Sequence, residues 1–235
     1  MSKFLGKFFQ RFLKTAQEEL FGDCLLCGLA SKTLICSSCE RLLPSCPDTV
    51  CKRCGASLRQ AGVCASCLLF PPAFDEVRAA FWYLWPVTAL TSALKYSADW
   101  GAGEVLAQGL NLRARASASD VDALVPMPLH PKKLRQRGYN QSLEIAKSLS
   151  QKLHMPLLAQ GLARVRHTPS QTTLSAKERK ANVARAFAPL QDFSGMKVAL
   201  VDDVMTTGAT LEEAARALKK GGALKVAAWV AARDL

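Results

Sequence analysis

The stretch VALVDDVMTTGAT, residues 198–210, joins an apolar run to two adjacent carboxylates and then to a turn rich in Thr and Gly. The apolar run predicts a buried strand that ends at Asp202 and Asp203, with a helix starting near Leu211. Gly and small hydroxyl residues before a helix present N–H groups and side-chain donors to an anion, and the helix dipole adds to this attraction. The stretch therefore predicts a cradle for a phosphate group.

The carboxylates beside this cradle indicate what else the ligand carries. Asp202 and Asp203 would repel a second phosphate, so we expect them to face hydroxyl groups or a cation. A sugar phosphate with neighbouring hydroxyls meets both requirements. A Walker B strand is one alternative, but the sequence contains no GxxxxGK[ST] motif to hold a triphosphate. GAG at residues 101–103 lacks the rest of a dinucleotide fingerprint. The pair could also serve only as a cap at the end of its strand.

From Asp75 onward, apolar stretches alternate with segments of helical periodicity. Strands that are apolar throughout and separated by helices are typical of a parallel sheet covered on both faces, so the predicted class is α/β. Such sheets bind ligands at the carboxyl ends of their strands. The predicted strands are VRAAFWYL (77–84), VDALVPMP (121–128), KVALVDDV (197–204) and LKVAAWVAA (224–232). The predicted helices are the region 87–116 with an interruption near Gly101, NQSLEIAKSLSQKL (140–153) and TLEEAARALKKGG (210–222).

Eight of the nine cysteines form CxxC pairs, and the pairs repeat. CLLCGLASKTLICSSC and CKRCGASLRQAGVCASC both open with CxxCG and close with CxxC. In a zinc knuckle the two-residue spacer lets both thiolates reach one metal, while Gly28 and Gly55 free the turn. Four cysteines per metal leave no open coordination position, so structural zinc is predicted. The predicted ligands are Cys24, Cys27, Cys36, Cys39, Cys51, Cys54, Cys64 and Cys67.

A disulfide framework is the alternative for these cysteines. The odd cysteine count and the absence of an export signal favour zinc in a reducing cytosol. Two arrangements of the pairs stay open, namely sequential sites, or the first pair with the third and the second with the fourth. We expect sequential sites, because the short loops within each repeat cost little entropy to close. Cys46 belongs to no pair and is expected to be a bystander.

Helical periodicity predicts a basic amphipathic helix over residues 1–20, the CxxC spacing predicts a zinc-binding module over 21–70, and the stretch PPAF (71–74) marks the start of a larger domain over 71–235. The helix would lie on an anionic membrane, dock on a protein partner or pack on its own chain. The net charge of +12 favours polyanionic partners. The longest apolar run, residues 79–90, is too short to span a bilayer. Because no signal peptide is recognised, we expect a cytoplasmic protein, with the periphery of the inner membrane as a further option.

The motifs together resemble a known family. VALVDDVMTTGAT is similar to the phosphoribosyl diphosphate (PRPP) binding motif of type I phosphoribosyltransferases. The rest resembles one branch of that superfamily, the ComF family of competence and DNA-utilisation proteins, and only the first twenty or so residues fall outside the resemblance. It implies a parallel-sheet phosphoribosyltransferase fold with a small N-terminal zinc-binding domain. The other matching motifs are CLLCG with the later CxxC pairs, LKY (94–96), VPMPLHPKKLRQRGYNQ (125–141) and RVRHTPSQTTLSAKERKANVARAF (164–187).

The resemblance also implies roles for individual residues. Asp202 and Asp203 would contact the ribose hydroxyls, directly or through Mg²⁺ and water. Leu129 and His130 would lie in the turn that meets the diphosphate. Residues 164–185 would form a mobile loop whose bases neutralise the departing pyrophosphate. The 5′-phosphate would be held by Thr206, Thr207, Gly208, Ala209 and Thr210, and the loop bases are Arg166, Lys177, Arg179 and Lys180, of which the first three are the catalytic candidates.

The stretch KKLRQRGYNQ, residues 132–141, combines four bases with an aromatic residue after the pyrophosphate turn. Bases that follow phosphates, together with a ring that stacks on a nucleobase, are typical of single-strand binding. The stretch is predicted to be rich in turns, and it could instead be a basic loop that serves PRPP, or a solvated surface. The predicted DNA-binding residues are Lys132, Lys133, Arg135, Arg137 and Tyr139.

Two functions follow from these features. The first is a ComF-like cytosolic protein that handles single-stranded DNA in natural transformation and carries a site for PRPP or a related phosphoribosyl ligand. The second is a metabolic phosphoribosyltransferase that transfers the phosphoribosyl group to an unidentified base or amine. No residue identifies the acceptor, and a phosphoribosyltransferase fold need not imply turnover.

Overall fold

The computed structural model describes residues 22–166 and 184–234, so the predicted N-terminal helix (residues 1–20) lies outside the described residues. Contacts divide the chain into two compact units, Met1–Leu43 and Pro44–Leu235. The second CxxC repeat therefore belongs to the same unit as the predicted sheet. The boundary near residue 70 that the composition indicates stays a prediction. Within the described ranges, no helix is both long and apolar enough to cross a membrane.

The first unit, over residues 22–43, is a short cysteine-rich segment. Strands β1 (Gly22–Asp23) and β2 (Ala30–Ser31) pair in antiparallel register, and helix α1 (Ser37–Glu40) follows them. The turn between the strands is held by a hydrogen bond of 2.8 Å from the Gly28 N–H to the Cys24 carbonyl. Gly28 has a φ of 70°, which favours glycine, so the turn explains the glycine that closes CxxCG.

The second unit alternates strands and helices along the chain. Its described strands are β3 (Glu76–Trp82), β4 (Ala123–Pro126), β5 (Leu162–Arg164), β6 (Phe187–Pro189), β7 (Lys197–Met205) and β8 (Lys225–Arg233). Its described α-helices are α2 (Ala65–Leu69), α3 (Val87–Tyr96), α4 (Trp100–Ala114), α5 (Pro131–Arg137), α6 (Gln141–Leu153) and α7 (Ala209–Lys220). Four strands form one parallel sheet in the order β3-β8-β7-β4, and β5 pairs with β6 in a separate antiparallel hairpin. The α/β class with a parallel sheet is therefore confirmed.

Helices cover the sheet on both faces. Val226, Ala228 and Val230 of β8 join a core cluster with residues of α7. The alternate residues Ala227 and Trp229 are also buried, and because successive side chains point to opposite faces, they face the other side. There α4 contacts β3 and β8, while α6 contacts β4 and β7. A strand buried on both faces needs apolar residues throughout, and this explains why LKVAAWVAA shows no alternation.

The outer edge of β3 is closed by the segment that leads into the second CxxC repeat. The Cys46 N–H donates to the Ala80 carbonyl at 2.9 Å, and the Val77 N–H donates to the Lys52 carbonyl at 2.9 Å. These bonds satisfy backbone groups that an exposed edge strand would leave open. Cys46 is buried in the core beside the sheet. The second cysteine repeat is therefore attached to the sheet itself.

One local prediction is confirmed and another was wrong in detail. The helical region 87–116 is interrupted at residues 97–99, near Gly101 as expected, because the Asp99 side chain accepts the Ala102 N–H at 3.0 Å and starts a new helix there. The stretch predicted as turn-rich contains helix α5. That helix has Pro131 in its first turn and ends at Gly138, whose φ is 85°.

Candidate functional site

The carboxylates of β7 lie at its carboxyl end and have partners from two helices. Lys95, at the end of α3, forms an ion pair with Asp203, with 2.5 Å between its Nζ and Oδ2 of the carboxylate. Ser142, in the first turn of α6, donates its hydroxyl to Oδ1 of Asp202 at 2.8 Å. The Asp203 N–H donates to the same oxygen at 2.9 Å. The helices therefore hold both carboxylates at the strand end, where the fold predicts a ligand.

Burial and charge divide the roles of the two carboxylates. Burial, together with the neighbouring negative charge of Asp203, raises the pKa of Asp202 to about 7, although the bond from Ser142 opposes the shift. Burial disfavours the charge of Lys95, but its ion pair with Asp203 outweighs this and raises the pKa of the ammonium group. Asp203 is thus the carboxylate that is neutralised by a cation of the protein. Asp202 is the one that a ligand or a proton would stabilise.

The turn after β7 leads directly into α7. Gly208 precedes the helix with a φ of 79°, and a Cβ there would lie 2.7 Å from Cε of Met205. The Thr207 hydroxyl accepts the Ala209 N–H at 3.4 Å. The first N–H groups of a helix have no partner within it, so this end of α7 can donate to an anion. The five residues predicted to hold the 5′-phosphate, Thr206, Thr207, Gly208, Ala209 and Thr210, lie together in this turn and the first helical residues.

The turn after β4 lies at the same edge of the sheet. Pro126 is the register partner of Val201, which is one residue before Asp202, and the two strands are parallel. Leu129 and His130 follow this strand end and are half-buried. Nδ1 of His130 accepts the Lys132 N–H at 3.2 Å and so caps α5. The structure therefore brings the predicted pyrophosphate turn to the edge that holds the carboxylates.

Basic side chains join this edge to α5. Partial desolvation of the ammonium group lowers the pKa of Lys133, although the residue as a whole is exposed, and the positive charges of Arg164, Arg137 and Lys95 lower it further. Burial also lowers the pKa of Arg164, against the opposing effect of the Asp202 charge. A group of cations that destabilise one another is a favourable place for a polyanion. Sequence reasoning did not identify Lys95, Ser142 or Arg164, because each acts through contacts distant in sequence.

The predicted DNA-binding residues lie on and just after α5, but one has a different setting from that expected. Lys132, Lys133 and Arg135 are exposed on the helix. The Tyr139 hydroxyl donates to the Leu94 carbonyl, and its ring meets the Trp100 ring edge-on at 4.8 Å between centroids. Tyr139 is therefore packed against its own chain.

The exposed aromatic rings beside this helix are other residues. Tyr96 is 79% exposed and Trp100 is 51% exposed. The Arg137 guanidinium lies 5.8 Å from the centroid of the Tyr96 ring. Tyr96 belongs to the LKY motif, but its sequence position alone gave no indication that it would lie beside Arg137.

The loop bases are only partly within the described residues. Arg166 follows β5 and donates to the Ala184 carbonyl across the hairpin. Lys177, Arg179 and Lys180 lie outside the described residues. Arg164, where the predicted mobile loop begins, pairs with Phe187 in the β5–β6 register. The catalytic role of these bases stays a prediction.

The cysteines gather into two groups of four. In each group the four sulfur atoms lie within 4.8 Å of one another. The Cys27 and Cys36 sulfurs are 3.9 Å apart, and the Cys54 and Cys64 sulfurs are 3.7 Å apart. A tetrahedral zinc with Zn–S bonds of about 2.3 Å places its sulfurs about 3.8 Å apart, so both groups fit such an ion. The groups are Cys24, Cys27, Cys36 and Cys39, which we call the first cluster, and Cys51, Cys54, Cys64 and Cys67, the second cluster.

This grouping follows the order of the chain, as expected, and excludes the interleaved arrangement. Backbone donors support the thiolates that metal binding requires. Burial opposes ionisation of Cys24 and Cys51, but N–H groups aimed at their sulfurs outweigh it and lower the pKa of each thiol to about 6. The donors include Cys36 to Cys24 and Cys64 to Cys51, both at 3.3 Å. Cys46 belongs to neither cluster, and burial raises its pKa to about 12.

Comparisons with known proteins show what the chain is similar to. The phosphoribosyl transferase domain family matches residues 140–235. The chain is 34% identical over 212 residues to Competence protein F of Haemophilus influenzae, which covers 86% of this chain and 92% of that protein. It is 32% identical over 207 residues to DNA utilization protein YhgH of Escherichia coli K12, with coverage of 86% and 91%. A solved purine phosphoribosyltransferase from Pyrococcus horikoshii matches 53% of this chain and 67% of its own, at 20% identity and a TM-score of 0.33.

Metal content tests the cysteine clusters. We expect Cys24→Ser and Cys51→Ser each to remove about one zinc ion per chain and to lower the solubility of the protein, because the cysteine segments gain folding free energy from the metal. Elemental analysis of the purified protein gives the stoichiometry. Cys46→Ser is the control and should retain the full zinc content. Full zinc after both cluster substitutions would contradict the assigned ligands.

The pH dependence of stability tests the role of Asp202. Its folded pKa lies above the ordinary carboxyl value, so the free energy of unfolding should fall as the pH rises from about 4 to about 7. Asp202→Asn removes this ionisation and should raise stability at pH 8 by up to about 4 kcal/mol, since the pKa rises from 3.8 to about 7 and one pKa unit corresponds to about 1.4 kcal/mol. This gain in the free energy of unfolding, measured by urea denaturation, should disappear as the pH falls towards 4. Asp203→Asn should instead lower stability at pH 8, because Lys95 loses its closest partner.

Proposed function

The chain belongs to the ComF family of competence and DNA-utilisation proteins, and we propose that it handles single-stranded DNA in natural transformation while binding PRPP or a related phosphoribosyl ligand. The observation that carries the ligand proposal is the carboxylate pair at the end of β7 beside a glycine-led helix start. The carboxylate pair attracts hydroxyls or a cation, and the N–H groups at the start of α7 attract a phosphate. A phosphorylated ribose presents both at neighbouring positions.

Each part of PRPP has a matching group at this edge. The 5′-phosphate would take the N–H groups at the start of α7, which Gly208 and the Thr207 hydroxyl shape. Asp202 would accept from the ribose hydroxyls, because Asp203 is already neutralised by Lys95. The diphosphate would meet the backbone of the turn at Leu129 and His130. Mg²⁺ carried with PRPP would reduce the negative charge of the diphosphate.

The basic side chains of Lys133 and Arg164 would extend this site towards the leaving pyrophosphate. Lys133 and Arg164 lie where their charges disfavour one another, and a diphosphate would relieve that repulsion. Bond cleavage at the anomeric carbon would leave a cationic sugar, and the bases would stabilise the departing charge. Arg166, Lys177 and Arg179 remain the candidates for closing over it. The carboxylates and the turn over residues 206–210, which we call the phosphate turn after its proposed ligand, are all present. This favours phosphoribosyl transfer to a base or amine as the second candidate function.

The DNA surface is formed by α5 with the two exposed rings. Lys132, Lys133 and Arg135 project positive charge that would follow a phosphate backbone. Tyr96 and Trp100 offer ring faces to unpaired bases, the role first assigned to Tyr139. A single strand, whose bases are unstacked, fits such a surface better than a duplex.

The remaining parts would support this role. Zinc in the two cysteine clusters would hold the N-terminal region of the chain. The basic residues 1–20 would contact a protein partner or the anionic inner face of the membrane. Both assignments would suit a protein of the cytoplasm, where transported DNA would arrive.

Ligand binding tests the phosphoribosyl site. We expect calorimetry to show PRPP binding to the wild type in Mg²⁺, and at least a hundredfold loss of affinity in Asp202→Asn with Asp203→Asn, because the ribose loses the Asp202 carboxylate and Lys95 loses its ion pair with Asp203 at the same strand end. Asp48→Asn with Asp192→Asn removes the same two charges elsewhere and should leave affinity unchanged. Retained binding in the first double variant would refute the site.

Pyrophosphate release separates the two candidate functions on the same sample. PRPP is incubated with Mg²⁺ alone, with a panel of bases and amines, and with single-stranded DNA. Release with one acceptor would identify a transferase and its substrate. Binding of PRPP and DNA without release would assign the phosphoribosyl site a sensing role in DNA handling.

Salt dependence of DNA binding tests the surface on α5. Lys133→Ala with Arg137→Ala should weaken binding of an oligothymidine and flatten the slope of log K against log salt by about 1.4, from about 0.7 per phosphate contact on a single strand. Lys147→Ala with Lys152→Ala removes the same charge from α6 and should leave the slope unchanged. Trp100→Ala should weaken binding by about 1–3 kcal/mol without changing the slope, since stacking is uncharged. An unchanged slope in the α5 variant would move the DNA surface elsewhere.

A further inference from the structure

The side chain of Arg233, the last residue of β8, connects the second cysteine cluster to the phosphate turn. Its Nε donates to the Cys54 carbonyl at 3.2 Å. Its Nη1 lies 3.3 Å from the Met205 carbonyl and also donates to the carbonyls of Thr206 and Asp234. One planar guanidinium therefore contacts both a metal-binding turn and the residues that open the loop to α7.

The cysteine turn is packed closely against this arginine. Gly55, which follows Cys54, has a φ of 71°, and a Cβ added to it would lie 3.3 Å from Cγ1 of Val77 and 3.7 Å from Cδ of Arg233. The Lys52 carbonyl of the same turn accepts the Val77 N–H from β3. The turn is thus anchored to the sheet at two places, a backbone bond and the arginine.

The conformation of the phosphate turn also depends on Arg233. Met205 and Thr206 are the residues at which the chain leaves β7, three and two positions before Gly208. Their carbonyls point to one half-buried guanidinium. An arginine can satisfy several carbonyls at once because its donors form a rigid fork, whereas a lysine ammonium is a single point. The direction in which the turn leaves the strand is therefore fixed partly by Arg233.

We propose that Arg233 is a positioning residue that makes the phosphate turn depend on the second cysteine cluster. When four thiolates hold a metal, the Cys54 carbonyl is fixed and Arg233 is held against Met205 and Thr206. When the metal is lost, the cysteine turn loosens and the arginine loses one of its anchors. Because such coupling is reciprocal, a ligand at the phosphate turn should also help the second cluster to retain its metal. Only the identity of that ligand rests on the proposed function.

Amide hydrogen exchange on the full zinc-loaded chain tests the connection without any ligand. Arg233→Met should speed exchange in a peptide spanning residues 205–210 about tenfold, with zinc content and exchange in α4 unchanged. The matched control is Arg113→Met, which removes another arginine that donates to two partners, the Asp48 carboxylate and the Pro47 carbonyl. Exchange at residues 205–210 should stay at the wild-type rate in that control. Wild-type exchange in Arg233→Met would overturn the proposal.

The cysteine clusters provide the second arm. Cys54→Ser and Cys27→Ser change equivalent positions of the two repeats, and Arg233 contacts the carbonyl of Cys54 in the second cluster. Cys54→Ser should therefore speed exchange at residues 205–210, while Cys27→Ser should not. Equal effects of the two substitutions would contradict the coupling. If Arg233→Met fails to fold, Arg233→Lys, which keeps the charge but not the fork, replaces it and should give the same loosening.

PRPP then extends the test to function. Arg233→Met should weaken PRPP binding about tenfold, and PRPP should slow zinc release to a chelator from the wild type but not from the variant. If the wild type does not bind PRPP, the proposed function fails while the exchange result still decides the role of Arg233. If PRPP binds but its affinity is the same in Arg233→Met, the coupling is refuted and the ligand site stands.

Discussion

The carboxylates of Asp202 and Asp203 lie side by side at the buried end of β7. Holding two negative charges there is unfavourable, so the neighbouring helices must supply groups that stabilise them. Asp203 is neutralised by Lys95 from α3, and Asp202 is held by the hydroxyl of Ser142 from α6. Burial keeps the pKa of Asp202 near 7 even with these donors. A group that destabilises the ligand-free fold in this way is characteristic of functional sites, where stability is given up for binding.

Two neighbouring groups at the end of β7 favour opposite charges in a ligand. The start of α7 attracts an anion, and Asp202 repels one unless a hydroxyl or a cation intervenes. In the proposed site, the cations Lys133 and Arg164 would add a second anion-binding region beside the turn that follows β4. A ligand with two anionic ends and hydroxyls between them satisfies the whole edge. The parallel sheet makes this possible, because it brings the ends of β4 and β7 together.

The cysteine repeats divide between the two compact units, and the second repeat belongs with the sheet. It closes the edge of β3 and reaches the phosphate turn through Arg233. Four cysteines around a metal offer no open position for chemistry. The second cluster therefore has a structural role, in which it holds the edge of β3 and the phosphate turn in place.

Much of this could be predicted from the sequence, because the signals are local. The unbroken apolar runs of β7 and β8, the Thr and Gly turn and the CxxC spacing each specify a structure within about twenty residues. Lys95, Ser142 and Arg233 could not be found in this way, since their partners lie far away along the chain. Helix α5 did carry a local signal, Pro131 at its start and Gly138 at its end, which the density of basic residues obscured. The packing of Tyr139 against Trp100 depends on tertiary contacts alone.

The most direct test of the central claim is a crystal structure of the protein soaked with PRPP and Mg²⁺. We expect density for the 5′-phosphate against the N–H groups at the start of α7, with the ribose hydroxyls within hydrogen-bonding distance of Asp202. PRPP bound only along α5, away from the carboxylates, would contradict it. So would a ligand-free strand end in crystals soaked at a PRPP concentration that saturates binding in solution.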